Sequence, residues 1–320
     1  MLKGRSTNMR RIFKTIEDHL TECTTLEKGV WVHLQSPTKE EVDGLTTRFN
    51  LDPTFLPAAL DEEESARIDY DSDKQQTLII VDIPYVDTEG TGYVYSTIPL
   101  GIVLCDEVII TVCTRDTPII NDFTEERIRN FWTFKRTRFI LQILQRNAGR
   151  FLSYLKQIDK TSQHIQEKRE HTSRNQELLQ MMKLEKSLVY FNTSLKGNAL
   201  VMERLMRQDI LKRYPEDTDL LEDVIIENKQ AMEICSIYRD IMSNPTDAFA
   251  SIINNNLNIT MKVLTALTVL FAVPTLVMTI WGINVPVPFE RQAWGFAAVC
   301  GISIILTLFA FVIMRRKNMF

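Results

Sequence analysis

Two long stretches near the C-terminus contain no charged residue, and they constrain the fold more than any other feature of the chain. The first runs from Val263 to Phe289 and the second from Ala293 to Met314. Each is long enough to cross the roughly 30 Å hydrocarbon core of a bilayer as a helix. Because the first stretch ends in a proline-rich segment, we expect the two stretches to form a helical hairpin embedded in the lipid bilayer.

Basic residues set the expected orientation of this hairpin. Arg315–Lys317 follow the second stretch directly, whereas Glu290 and Arg291 are the only charged residues between the two stretches. By the positive-inside rule the C-terminal tail is cytoplasmic, and two spans place the N-terminal part there as well. Residues 1–11 have no apolar segment, so we expect no cleavable signal peptide and a location in the cell inner membrane.

Composition excludes several other classes of protein. The chain has 320 residues and a formal net charge of -4, so it lacks the basic excess of nucleic-acid-binding proteins. Its cysteines form no C-x-x-C pair, which argues against a disulfide framework or a zinc finger. The sequence contains no phosphate loop, nucleophile elbow or zinc-protease motif, so we expect neither an enzyme nor an organic cofactor.

The N-terminal part is predicted to be an α/β domain with a mixed sheet. Runs of β-branched and aromatic residues predict strands, whereas the charged, Leu-rich segment 121–209 predicts long amphipathic helices. The predicted strands are Val30–Val32, Thr77–Ile83, Tyr93–Cys105 and Val108–Cys113, and shorter helices are predicted at Pro37–Phe49, opened by Ser36-Pro37, and at Pro53–Leu60.

A very long helix is predicted after this domain. Tyr214-Pro215 interrupts the helical pattern, and Asp217 or Thr218 can cap a new helix. Up to the first span the only strong interruption is Pro245, which should kink the helix. Apolar residues at seven-residue spacing predict a stalk in an oligomer, the alternative being a helix packed on its own domain. They are Val224, Ala231, Tyr238, Ile252 and Ile259, and in a second series Ile234, Ile241 and Ala248.

The whole chain is therefore predicted to be an α+β membrane protein with its two spans last. The expected division is a cytosolic domain at 1–215, a stalk helix at 216–260, a first span at 261–281, an outer loop at 282–292, a second span at 293–314 and a basic tail at 315–320.

The first span and the helix before it carry a line of polar residues at alternating four- and three-residue steps. The ten positions, here named the polar stripe, are Asp247, Ser251, Asn254, Asn258, Met261, Thr265, Thr268, Ala272, Thr275 and Thr279. Because polar groups facing lipid are costly, the stripe should face a shared interior, and around a symmetric axis it would line a water-filled path. In the alternative, the hydroxyls bond to carbonyls of their own helix and pack at helix contacts without conducting.

Two places on the stripe have an expected role in conduction. Asp247 would form an acidic ring at the cytoplasmic end, which attracts cations and repels anions. Met261, with Leu264 nearby, would form an apolar collar that stops ions by dewetting.

The end of the first span carries a family resemblance. Trp281-Gly282-Ile283-Asn284, followed by Glu290, resembles the Tyr-Gly-Met-Asn signature of the CorA family of divalent-cation channels and the Glu in its following loop. Asn258–Thr265 is similar to the family's Asn-x-x-Met-Lys-Val-Leu-Thr. The resemblance spans most of the chain, since three upstream segments also look like family members: Leu60–Glu63, Arg67–Asp71 and Glu185–Phe191.

This resemblance implies a homopentamer with an α/β/α cytosolic domain, a funnel of long helices and a central pore lined by the first span. The ions would be Mg²⁺ and also Co²⁺ or Ni²⁺, moving into the cytoplasm. Neutral oxygens suit hydrated Mg²⁺, which sheds water reluctantly. By position, Asp247, Asn258, Met261, Leu264 and Thr275 would line the pore, Gly282, Ile283 and Asn284 would form the outer selectivity filter, and Glu290 would concentrate cations at the mouth.

The resemblance also implies closure by the transported ion, held as a regulatory Mg²⁺ between neighbouring subunits. Asp223 occupies the stalk position with this role, whereas Ala58 stands where the partner aspartate is usual. Asp61 and Glu62, in the acidic run that follows, either substitute for that aspartate or belong to a solvated face.

Departures from the signature keep other functions open. Ile283 replaces the signature Met and Trp281 the Tyr, and Gly-x-Asn variants also occur in the zinc-transporting branch. Ala272 replaces a bulky pore Met. A zinc transporter is therefore the alternative with the same fold. A non-conducting membrane scaffold or sensor is the alternative from another class, and it would be expected to carry an apolar seam in place of the polar stripe.

Overall fold

Residues 9–87, 94–105, 108–167, 174–208, 210–211, 214–283 and 294–316 are described by the computed structural model of the chain. The chain divides into two units, Met1–Asn244 and Pro245–Phe320. The strands are β1 (Met9–Ile16), β2 (His19–Cys23), β3 (Trp31–Gln35), β4 (Arg67–Asp71), β5 (Gln76–Asp87), β6 (Val94–Leu104) and β7 (Ile109–Cys113). The helices are α1 (Lys39–Arg48), α2 (Phe55–Ala58), α3 (Pro118–Thr124), α4 (Arg136–Glu167), α5 (Arg174–Arg207), α6 (Pro215–Trp281) and α7 (Gly295–Arg316).

The strands of the first unit form one mixed sheet in the order β2-β1-β3-β7-β6-β5-β4. Strands β3 and β7 pair in parallel, and the other neighbours pair antiparallel. Each of the predicted strands coincides with one of β3, β5, β6 and β7. Strands β1, β2 and β4 were not predicted, because they lie at or next to the sheet edges, where charged residues such as Arg10, Lys14 and Asp69 interrupt the apolar pattern.

Helices cover both faces of this sheet, and successive residues of one strand point to opposite faces. On β5, Ile79 belongs to a core that includes residues of α3, α4 and α5, whereas Ile80 belongs to a core that includes residues of α1 and α2. Gly101 of β6 permits the close approach of the chain after α2, since a Cβ atom at this position would lie 2.2 Å from the Cβ of Ala59. The predicted α/β/α layering is therefore confirmed.

Two helices begin at residues other than those predicted. Helix α1 begins at Lys39 rather than after Ser36-Pro37, because Thr38 and Glu41 form a capping box. Helix α6 begins at Pro215, since proline suits the first helical position, where its missing N–H is not needed. Asp217 does stabilise this start, but as its third residue, by accepting a hydrogen bond from the Tyr214 N–H at 3.3 Å.

Helix α6 is continuous from Pro215 to Trp281, as the sequence predicts. The kink expected at Pro245 stays a prediction. The expectation that the first seven-residue series forms an oligomer seam is wrong at Val224 and Ala231, because both are fully buried in cores of their own domain. A helix that lies on its own domain also needs an apolar face, and seven-residue spacing over two or three turns does not distinguish the two cases.

The second unit contains two helical stretches that are long and apolar enough to span a membrane. They are Leu257–Trp281, the last part of α6, and Gly295–Arg316, which is α7. Both overlap the spans predicted from the sequence. Arg315 and Arg316 lie in the last turn of α7, at the end where the positive-inside rule places the cytoplasm.

Candidate functional site

Helices α6 and α7 of the second unit contact each other near the end of α6 and the start of α7. The rings of Trp281 and Phe296 join them, with centroids 6.4 Å apart. The least exposed residues repeat every three or four positions and so fall on a single side of each helix. On α6 they include Ala266, Leu270, Val273, Val277 and Trp281, and on α7 they are Gly295, Val299, Ser303 and Met314. We infer that these two sides form the contact between the helices.

The polar stripe lies on the other side of α6. At 3.6 residues per turn, its positions from Asn258 to Thr279 point on average roughly 140° away from the side that carries Ala266 and Trp281, with Asn258 and Thr265 the nearest to that side. The side chains described in this part of the stripe, from Asn258 to Thr279, are all exposed in the single chain. Helix α7 therefore leaves the stripe uncovered. The side chains of Asp247, Ser251 and Asn254 lie outside the described part of the chain, although their backbone belongs to α6.

The threonines of the stripe satisfy their hydroxyl hydrogens within α6. Thr265 donates to the carbonyl of Met261 at 2.7 Å and Thr268 to that of Leu264 at 2.8 Å. Thr275 and Thr279 likewise donate to the carbonyls four residues earlier, each at 2.7 Å. A hydroxyl has one hydrogen and two lone pairs, so each oxygen keeps acceptor capacity toward the exposed side. The bonds expected in the non-conducting alternative are thus present, yet they leave a row of acceptors and no free hydroxyl donor.

Two large apolar side chains lie on and beside the stripe, near the N-terminal end of its described part. Met261 is 60% exposed and Leu264 is 57% exposed in the single chain. They follow Asn258 by less than two turns, so a polar and an apolar ring would lie next to each other in a symmetric assembly. This is the position at which the sequence predicts the apolar collar.

Helix α6 ends at the signature residues. The Gly282 N–H donates to the carbonyl of Met278 at 2.9 Å, which is the last helical hydrogen bond of α6 described. A Cβ atom at Gly282 would lie 3.3 Å from that same carbonyl oxygen, so a larger residue would crowd the helix end. Ile283 is 50% exposed. Asn284 and Glu290, the other predicted filter residues, lie outside the described residues.

The acidic residues predicted to regulate the channel are separate in a single chain. Asp223 is exposed on α6, and its charge helps to raise the pKa of Glu227 one turn later, where burial is the main cause and Arg146 opposes it. Among the residues that the structure describes, no group of three or more His, Cys, Asp or Glu side chains could hold a metal ion. Any site that combines Asp223 with the acidic run would therefore need a second chain.

The acidic run itself is partly engaged in local contacts. The Asp61 carboxylate accepts a hydrogen bond from the Glu63 N–H at 3.0 Å. Glu62 accepts one from the Thr114 hydroxyl at 3.3 Å and lies 3.6 Å from the Arg115 guanidinium. These contacts are weak and exposed, so they neither require nor exclude a metal at this place.

Asp82, a partly buried carboxyl whose pKa is shifted, was not singled out from the sequence. Asp82 of β5 lies beneath α4 and α5, and its main-chain carbonyl accepts hydrogen bonds from the amides of Asn147 and Asn198, each at 2.8 Å. Burial raises the pKa of Asp82 to about 6, and a hydrogen bond from Ser194 opposes the shift. The only signal in the sequence was a single acidic residue inside an otherwise apolar strand.

Comparison with known proteins finds relatives in the family that the sequence resembles. The cobalt/magnesium transport protein CorA of Methanocaldococcus jannaschii is 25% identical over 299 residues, which are 90% of each chain. The complete structure of the CorA magnesium transporter from the same organism has a TM-score of 0.75 at 21% identity and covers 98% of this chain and 99% of that one. The cytoplasmic domain of ZntB from Vibrio parahaemolyticus has a TM-score of 0.53 at 11% identity and covers 74% of this chain and 98% of that one.

The complete CorA structure shares the fold of this chain over 98% of its length, whereas the ZntB match is to a cytoplasmic domain alone. A family model described as CorA-like Mg²⁺ transporter protein matches residues 27–316. That range contains the whole sheet except β1 and β2, all the helices described, and the signature at the end of α6. The chain therefore belongs to the CorA-like Mg²⁺ transporter family.

Proposed function

We propose that this protein is a homopentameric channel that carries Mg²⁺, and also Co²⁺ and Ni²⁺, into the cytoplasm. The observation that carries the proposal is the position of the polar stripe on the side of α6 opposite to α7. A single chain leaves that side uncovered, and hydrocarbon is a poor solvent for it. Five copies around an axis would enclose it and give a path lined by neutral oxygens.

The chemistry of the stripe supports passage of a hydrated cation. The hydroxyls of Thr275 and Thr279 present acceptors, because their hydrogens are used by α6. Water bound to Mg²⁺ is a hydrogen-bond donor, so such acceptors hold a hydrated ion without removing its water. The same rings offer an anion no donor. Asn258 and Thr265 extend this lining, and the Asp247 ring would add negative charge at the cytoplasmic end.

The collar of Met261 and Leu264 is proposed as the closed gate. Apolar side chains that meet at an axis exclude water, and an ion cannot then pass with its hydration shell. The high exposure of both side chains in the single chain, 60% and 57%, leaves them available for such contacts.

The outer filter is proposed to consist of Gly282, Ile283 and Asn284, with Glu290 concentrating cations at the mouth. The crowded end of α6 at Gly282 supports a role in which the backbone, rather than a side chain, borders the path. An amide oxygen from each Asn284 would bind water in the first shell of the ion. The membrane is proposed to be the cell inner membrane, with both termini cytoplasmic and domains divided as the sequence predicts.

We also propose that the transported ion regulates the channel. A Mg²⁺ ion would bind between Asp223 of one subunit and Asp61 and Glu62 of its neighbour and would hold the channel closed. The exposure of Asp223 supports this role. The solvated-face alternative for Asp61 and Glu62 predicts that their substitution leaves closure unchanged.

A zinc transporter is the second candidate, and the specific observation in its favour is the pair of departures at Trp281 and Ile283. The experiment is flux of Mg²⁺, Co²⁺ and Zn²⁺ into liposomes that contain the purified protein, with Asn284→Ala measured beside the unchanged chain. We expect Mg²⁺ uptake that Asn284→Ala abolishes. Zn²⁺ uptake without Mg²⁺ uptake would favour the second candidate, and no uptake from a well-formed oligomer would contradict both.

A further inference from the structure

The starts of α4 and α6 border an open cavity in the first unit that transport does not use. Its volume is about 830 Å³. Sites for small organic ligands usually measure roughly 300–1,000 Å³. One wall is the segment from Asn130 to Arg138, and the other is the segment from Tyr214 to Asp217.

Three basic side chains at the start of α4 line this cavity. Arg138 has a carboxylate partner, since its Nη1 lies 3.5 Å from Oδ1 of Asp217. Arg136 donates to the main-chain carbonyl of Cys105, and the Lys135 Nζ lies 3.9 Å above the centre of the Trp132 ring. Neither Lys135 nor Arg136 forms an ion pair with any carboxylate in the described part of the chain. The lining also contains the carboxylates of Glu216 and Asp217, which lie 4.0 Å and 3.5 Å from the Arg138 Nη1, so its three cations exceed its two carboxylates by one charge.

The placement of these cations is unfavourable for the helix itself. The first turn of α4 contains Arg136 and Arg138 and no acidic residue. The N-terminus of a helix carries a partial positive charge, so basic side chains there repel it and an anion stabilises it. Arg136 and Arg138 form contacts with Cys105 and Asp217, and binding of an anion would offset the repulsion between these cations and the helix N-terminus.

Aromatic rings lie beside the cations. Trp132, Phe134 and Tyr214 line the same cavity, and Phe134 and Tyr214 are 57% and 62% exposed. Large exposed rings next to basic groups are typical of sites that bind a flat ring together with phosphate, because the ring stacks and the cations hold the charge. A free inorganic anion would use only the cations.

We propose that this cavity binds a nucleoside polyphosphate. The phosphates lie against Lys135 and Arg136 at the start of α4, and the base lies against the exposed rings of Phe134 and Tyr214. The site does not depend on the proposed transport function, so it can be tested by binding alone.

The test is calorimetric titration of the purified full-length chain in detergent with ATP, pyrophosphate and adenosine, in the absence of Mg²⁺. We expect saturable binding of ATP that is tighter than that of pyrophosphate or adenosine. Lys135→Ala should weaken ATP binding by about tenfold or more, since it removes a charge-assisted contact. Lys160→Ala, at an exposed lysine farther along α4, should leave binding unchanged.

A second variant tests the base. Phe134→Ala should weaken ATP binding and leave pyrophosphate binding as it was. Absence of saturable ATP binding at millimolar concentration would overturn the proposal, as would ATP binding that Lys135→Ala does not weaken. Pyrophosphate binding as tight as ATP binding, with no effect of Phe134→Ala, would overturn the assignment of a nucleotide.

Discussion

The imidazole Nδ1 of His33 lies 2.9 Å from the hydroxyl oxygen of Thr111 inside the sheet. The same oxygen accepts a hydrogen bond from the Trp31 Nε1–H at 2.8 Å. A hydroxyl has one hydrogen and two lone pairs, so Thr111 can accept from Trp31 and either donate to His33 or accept from it, according to the imidazole tautomer. Burial, with a smaller contribution from Arg11, lowers the pKa of His33 to about 4.

Acidification should therefore destabilise the α/β domain through His33. Folding favours the neutral imidazole, so this contribution is complete above pH 6.5 and is lost as the pH falls toward 4. The free energy of unfolding falls by about 3 kcal/mol once the pH is below the pKa of His33 in the folded state. The measurement is the free energy of unfolding between about pH 7.5 and pH 4.5. His33→Asn keeps an acceptor without titrating, so it should flatten this dependence, and an equally steep dependence in the variant would contradict the assignment.

The contribution of Asp82 to stability should have the opposite pH dependence. Burial raises its pKa from 3.8 to about 6, so the folded state favours the protonated carboxyl. Its contribution to stability is present below pH 3.8 and is lost as the pH rises through 6. Asp82→Asn should raise the free energy of unfolding by about 3 kcal/mol at pH 8 and change it little at pH 4. A variant that is less stable at pH 8 would show that the charged carboxylate is favoured instead.

Substitution of Asp223 tests regulation separately from conduction. If the proposed site forms between subunits, Asp223→Asn should leave peak Mg²⁺ flux intact and reduce closure by Mg²⁺ on the cytoplasmic side by about tenfold, since it removes a charged ligand. The measurement is flux into liposomes preloaded with increasing Mg²⁺. Asp219→Asn, one turn earlier and also exposed, is the matched control. Equal closure in both variants would leave Asp223 without the proposed role.

The membrane-spanning helices could be predicted from the sequence more completely than the α/β domain. The length of the two uncharged stretches predicts both spans, because a helix satisfies all the hydrogen bonds of its own backbone in hydrocarbon. The continuity of α6 up to the first span was predicted because Pro245 is the only strong interruption there, and a proline can kink a helix without ending it. In contrast, Val224 and Ala231 were assigned to an oligomer seam, since periodicity shows that a side of a helix is apolar but does not show which neighbour covers it.

Sites built from distant segments were the hardest to predict. Lys135 and Tyr214 become neighbours only when the starts of α4 and α6 meet. The run Phe131–Arg138, rich in aromatic and basic residues, was the one available signal. The stripe was easier, because all its members lie on one helix and their spacing alone places them on one side.

A pair of threonines gives the most direct test of the stripe. Thr275 on α6 and Thr307 on α7 make the same bond, donating to the carbonyls of Phe271 at 2.7 Å and Ser303 at 2.8 Å. Thr275→Val and Thr307→Val therefore remove the same hydrogen bond and the same hydroxyl, but only Thr275 lies on the side opposite to α7.

The measurement is Mg²⁺ flux into liposomes containing each variant at matched protein content. We expect Thr275→Val to reduce flux by about tenfold or more, because each subunit of the ring loses an acceptor worth about 1 kcal/mol, and Thr307→Val to leave flux near that of the unchanged chain. Equal flux in the two variants, whether both are reduced or both are normal, would contradict the assignment of the polar stripe to the ion path.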